Sequence, residues 1–206
     1  MRPHPVALAA LAVLLPLAGS AAPRAFVVDG SGSAVRVHVG KSGVLSFAGH
    51  SHDITATGVE GTIEADPDDL ARSSVSLAFA ATGLKVEEQG EPAGDAAKVQ
   101  EVMAGDKVLD VARFASIEFR SRQVSGRRAA DGAYELQVAG ELSLHGVTKP
   151  LTVPVRVEVS GGTLTATGRA TVAQRAFGIE PVTAGGGTVK VKNEVGIDFR
   201  IVAREK

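Results

Sequence analysis

Cysteine and tryptophan are both absent from this chain, and tyrosine occurs once. Without cysteine there is no disulfide framework, no thiolate zinc or iron–sulfur centre, no cysteine nucleophile and no lipid-modified N-terminal cysteine. Seven Phe and one Tyr in 206 residues are too few for the aromatic platforms on which single-stranded nucleic acid stacks. Charge of one sign is missing too. Lys and Arg number 22 against 23 Asp and Glu, a net of −1, so no broad field favours nucleic acid or an anionic membrane surface. Phosphate and hydrolase motifs also fail. Gly40-Lys41-Ser42 ends like a P-loop, but Val35 stands where its first Gly belongs, and there is no Gly-x-Ser-x-Gly or His-Glu-x-x-His.

What is present begins with an address. Met1-Arg2-Pro3-His4 gives a short positive start, Val6 to Leu17 is apolar apart from Pro16, and Ala18-Gly19-Ser20-Ala21-Ala22 supplies small residues. That pattern is a secretory signal peptide, with an apolar stretch too short to span a bilayer. Cleavage is expected after Ser20 or Ala21, dividing the chain into a signal peptide, 1–21, and a mature domain, 22–206. Loss of Arg2 takes the mature chain to −2. No later segment approaches the ~18 continuous apolar residues of a membrane helix, so a soluble periplasmic protein without stable membrane insertion is expected.

The mature chain alternates. Leu151, Val153, Val155, Val157 and Val159 take one parity, and Thr152, Pro154, Arg156 and Glu158 the other. Val189, Val191, Val195, Ile197, Phe199 and Ile201 repeat the pattern, as do Val35-Val37-Val39, Val75-Leu77-Phe79, Ile117-Phe119, Tyr134-Leu136-Val138 and Leu164-Ala166. A period of two puts one apolar and one wet face on each strand. Turn signals at Gly30–Gly32, Gly40–Gly43, Asp66–Asp69, Ala130–Gly132 and Ser160–Gly162 separate them. The expected fold class is all-β: about eight or nine strands at hairpin-like spacing, in an antiparallel barrel or sandwich. Between Glu91 and Asp110, Val99, Val102, Met103 and Leu109 fall near helical spacing, which predicts one or two short inserted helices interrupted at Gly105. Glu87 to Gly94 reads as a loop. An outer-membrane barrel would carry aromatic girdles that one Tyr and no Trp cannot supply, so the apolar face is expected to point inward.

Leu142-Ser143-Leu144-His145-Gly146-Val147-Thr148-Lys149-Pro150-Leu151 resembles the signature of the YceI-like family of periplasmic polyisoprenoid-binding proteins. Phe114–Ser121, Gln174–Ile179, Val191–Ile197 and Gly49–Asp53 resemble further family elements in the family's order, with Ala115 where a Pro is usual and Ala176 where an acidic residue is usual. The resemblance implies an antiparallel, lipocalin-like barrel of about eight strands that holds a long isoprenoid chain in an apolar tunnel. It also implies no enzymatic activity and no cofactor. The expected partner is an isoprenoid or other long-chain amphiphile, with a homodimer left open. The residues agree with this: an eight-strand barrel can hold one small ligand, and the inward parity is rich in Val and Ala.

The residues expected to touch the lipid tail are Phe47, Phe79, Ile117, Phe119, Phe177, Ile179 and Phe199, with His50, His52 and Arg175 at a polar mouth. His50 and His52 share a strand face and could begin a metal site with His38, His145 or a carboxylate, but no spacing supplies the third ligand. A secreted metal-dependent hydrolase built on that pair is therefore one alternative. A secreted interaction protein with a filled barrel is the other. His145, between two strands, reads as a turn residue.

Overall fold

The computed structural model describes residues 22–42, 51–89, 94–184 and 189–206. The proposed signal peptide, 1–21, lies outside them. The chain forms β1 (Arg24–Val28), β2 (Ala34–Ser42), β3 (His52–Ala56), β4 (Glu60–Ala65), β5 (Ser74–Ala80), β6 (Leu84–Val86), α1 (Asp95–Ala104) and β7 (Ser116–Arg128). It continues with β8 (Tyr134–Leu144), β9 (Val147–Ser160), β10 (Thr163–Ala173), β11 (Thr183–Ala184) and β12 (Val189–Glu205). Every strand pairing is antiparallel, and β12 closes the sheet by pairing with β10 on one side and with β1 and β2 on the other.

Six of these segments are three long strands bent in the middle. β1 and β4 pair below the bend and β2 and β3 above it, while β5 and β6 continue the same wall beside β4 and β3. Counted this way the ring is a closed barrel of eight strands, as the family resemblance implies, and not the sandwich that the period of two also allowed. The bends sit side by side. Asp29 N–H donates to Val202 O at 2.8 Å and Thr57 N–H to Gly83 O at 2.9 Å. A side chain at Gly30 would put its Cβ 2.6 Å from Val59 O, so only glycine lets these two bends touch. Gly30–Gly32 is thus a corner inside a strand rather than a hairpin turn. Gly40–Ser42, by contrast, is not a turn, because β2 runs through it, paired as Lys41↔Val191 and Ser42↔Lys190.

Asp29 pins the first corner. Its carboxylate accepts from Ser31 Oγ at 2.6 Å, from Gly32 N–H at 3.1 Å, and from Arg204 Nη2 at 2.9 Å. Ser31 first, then Arg204 and the Gly32 amide, hold its pKa down at about 2, against an ordinary 3.8. A depressed carboxylate pKa stabilises the fold above the ordinary value and loses that contribution as pH falls through the folded one. Asp29→Asn should therefore lower Tm at pH 7, with a deficit that shrinks as pH falls from 3.8 toward about 2. Melts of both proteins across that range check it; a deficit unchanged at the acid end contradicts the ionic role.

α1 is the inserted helix, stopped at Gly105, whose N–H bonds Glu101 O and Val102 O. Gln100 ties it to β6 by accepting from Val86 N–H at 2.9 Å and donating to Leu84 O at 3.0 Å. No described helix is long and apolar enough to cross a membrane.

Candidate functional site: an apolar tunnel

The inward parity encloses a cavity of about 780 Å³ that runs through the barrel. That is within the range of small-molecule sites, and its wall is almost entirely apolar. β9 contributes Leu151, Val153, Val155, Val157 and Val159, the row predicted from the alternation; β2 contributes Val35, Val37 and Val39.

Two features keep the lumen open. Val is the commonest lining residue, and only four Phe and one Tyr are among the lining side chains. The second is that bulky rings lie over glycines: a Cβ at Gly168 would stand 2.6 Å from Phe199 Cζ, and one at Gly140 would stand 2.7 Å from Phe119 Cζ. The rings cover bare backbone instead of projecting across the tube. In β7 the inward parity changes from odd (Ile117, Phe119) to even (Val124), because Arg122 bulges out between Ser121 and Gln123. β12 keeps its parity across an irregularity at 192–194, where three residues face the single Gly40.

The β4–β5 connection lies at one end, where Asp66, Pro67, Leu70 and Ser73 line the cavity. Asp66, only 1% exposed, accepts from Asp68 and Asp69 N–H at 3.0 Å each and from Arg72 Nε at 2.7 Å, and its own N–H donates to Ser73 Oγ. Burial pushes the Asp66 carboxyl up, but the Asp69 amide, Arg72 and the Asp68 amide outweigh it, leaving the group below its ordinary value. At the opposite end α1, the β8–β9 turn and the 3-10 turn Gln174–Phe177 gather. His145 (φ 52°) and Gly146 (φ 71°) form a two-residue turn of the primed type. His145 Nδ1 lies 3.1 Å from Phe177 O, and its ring meets Phe114 edge-on at 4.8 Å. A Cβ on Gly146 would stand 2.4 Å from the Phe114 ring. The His-Gly pair thus fastens three segments together. Pro150 follows where β9 pairs only with β8, so its missing N–H breaks no ladder.

Phe79, Ile117, Phe119, Ile179, Phe199 and His52 line the cavity. Phe47 and His50 lie outside the described residues. Phe177 is buried in the core under the 3-10 turn without lining the tunnel. Arg175 stays on the outer surface, bonded to Glu180 at 2.6 Å, and is not part of the lining. Lys41, Lys98, Lys190 and Gln174 line it, although the sequence did not single them out. His38 faces the other way from His52. It sits on the outer wall with Nδ1 2.6 Å from Asp53 and Nε2 2.9 Å from Asp198, whose carboxyl Arg169 holds below its ordinary pKa. Among the described residues no three His, Asp or Glu side chains form a group that could hold a metal ion.

Known proteins share this architecture. A UPF0312 protein of Vibrio parahaemolyticus is 26% identical over 144 residues, which cover 70% of this chain and 67% of that protein. The crystal structure of Burkholderia cenocepacia BcnA superposes with a TM-score of 0.64 at 22% identity, covering 85% of this chain and 98% of BcnA. A polyisoprenoid-binding domain from Saccharophagus degradans, implicated in plant cell wall breakdown, gives 0.65 at 12% identity, covering 89% and 99%. The YceI-like domain pattern matches residues 26–203, and the chain belongs to the YceI-like family.

Proposed function

We propose that this is an exported, non-enzymatic carrier that holds one long isoprenoid or similar amphiphile in its barrel, working in the periplasm. The observation that carries the reading is the cavity of about 780 Å³, with an apolar wall and polar side chains gathered at its ends. A filled barrel would have no such space, which favours a carrier over an interaction protein with a packed interior. Transfer of a hydrocarbon tail from water into such a wall is worth ~0.8 kcal/mol per methylene. The polyisoprenoid-binding domain of Saccharophagus degradans, similar in fold, lends support. Export rests on the N-terminal 1–21 pattern.

Native mass spectrometry of protein purified without detergent tests this. A long-chain lipid bound at about one per chain, or taken up at that ratio by delipidated protein, is expected. Folded protein that neither carries nor takes up any lipid contradicts it.

A further inference from the structure

The barrel wall has a break beside α1. β6 pairs with β3 through Ile54↔Val86, Thr55↔Lys85 and Ala56↔Leu84, and among the described residues no strand pairs with its other edge. The β5–β7 ladder stops at Ala80↔Ser116, with one further bond from Ala81 N–H to Ala115 O at 2.8 Å. Past that point a side chain of α1 takes the place of a strand. The Gln100 carboxamide accepts from Val86 N–H at 2.9 Å and donates to Leu84 O at 3.0 Å, the two groups that a neighbouring strand would have bonded. Among the described residues these are the only hydrogen bonds between α1 and the sheet. Val99, Val102 and Met103 of α1 line the cavity, but the seat is shallow: Met103 is buried, whereas Val102 is 45% exposed. The C-terminal side of the helix is better fixed. Leu109 N–H bonds Met103 O at 3.1 Å, Asp110 N–H bonds Gly105 O at 2.8 Å and Val111 N–H bonds Ala104 O at 3.2 Å, with Leu109 itself in the core.

Given that the barrel carries a lipid tail, we infer that α1 is a lid over a side portal beside β6, that the tail enters and leaves there, and that the Gln100 carboxamide is the latch. Elements that move to admit a ligand come from the least stable parts of a fold. Lifting the N-terminal half of α1 breaks two neutral hydrogen bonds and uncovers little buried surface, with the bonded segment after Met103 as its hinge. Opening the opposite end would separate Arg72 from Asp66, whose carboxylate is only 1% exposed, and a buried charge left alone is costly. Opening the wall anywhere else would unzip a strand ladder. The latch holds the lid in the empty and the loaded protein alike. Loosening it therefore raises the rates of entry and exit together and leaves affinity nearly unchanged.

The probe is retinol, an isoprenoid alcohol whose fluorescence rises in an apolar site. Its uptake by delipidated protein, and its transfer from loaded protein to an excess of phosphatidylcholine vesicles, give the two rates. Gln100→Met keeps the length and helix propensity of the side chain but loses both bonds. It should raise both rates about tenfold while Kd changes by less than about threefold. Ala97→Gly, at an exposed position of α1 that does not line the cavity, loosens the helix by a separate route and should raise both rates about fivefold. A rise in exit alone, with affinity lost in proportion, would make Gln100 a tie of the loaded barrel and overturn the lid. Rates unchanged in Gln100→Met would place the entrance elsewhere and overturn it too, with the tunnel left in place. Should that variant fail to fold, Ala97→Gly decides on the same criteria. If the wild type takes up no retinol, the carrier reading fails, and this inference fails with it.

Discussion

Val153→Lys will lower stability by about 3 kcal/mol or more and abolish lipid uptake, because it places an ammonium in the middle of the apolar wall. Val153 is 6% exposed and pairs with Val138, itself 5% exposed. No carboxylate lines that stretch of β8 and β9. The neighbouring Thr152 is exposed on the outer face, so Thr152→Lys should stay within about 0.5 kcal/mol of wild type, as most surface substitutions do. Thermal melts in plain buffer, with lipid binding measured on the same samples, compare the two. A stable, binding-competent Val153→Lys beside a collapsed Thr152→Lys would mean that the faces are reversed.

The second large effect lies at Gly168. Its backbone is extended, so the constraint is space and not φ: a Cβ there would stand 2.6 Å from both Phe199 Cζ and Pro154 O. The ring can move only by swinging into the lumen, and the carbonyl belongs to the β9 backbone. Gly168→Val should cost about 2–4 kcal/mol, and whatever folds should bind long lipids poorly because Phe199 now obstructs the tunnel. Gly196, on the outer face of β12, is the control. A Cβ there has only the His38 Cβ near it, at 3.9 Å, so Gly196→Val should be far milder. Denaturant melts and lipid titration of both variants check this. Equal losses in the two would remove the argument that glycines hold the rings flat.

Much of the barrel was legible because alternation is a local signal. Leu151 to Val159 could be assigned to one face without knowing any partner strand, and all five inward members of that row line the cavity. Features that depend on two strands at once were hidden. The turn at Gly30 looks like a hairpin connection until Val59 is placed beside it. Lys41 reads as a loop residue until β12 is seen to pair through it, which turns it into an inward lysine at the rim. The bulge at Arg122 reverses parity inside β7 with no compositional mark. Phe114 joins the site only through its contact with His145 and Gly146, which are distant in sequence. Arg175 looked like a rim cation, but Glu180, five residues on, holds it on the surface. The histidines illustrate the same limit: alternation in β2 puts His38 opposite Val37 and Val39, but only the β2–β3 register, Val39↔His52, shows that His52 shares the inward face.

The central claim is that an apolar tube of fixed capacity selects its ligand by tail. Its most direct test is the affinity of delipidated protein for a series of isoprenoids that share one head group and grow by one isoprene unit at a time. At ~0.3 kcal/mol per heavy atom, each added unit should tighten binding about tenfold until the cavity is full, after which affinity should level off. The wild type should show that rise and plateau, and Gly168→Val should plateau at a shorter tail. Affinity independent of tail length, or rising without limit as it would for adsorption to an exposed surface, would contradict the account.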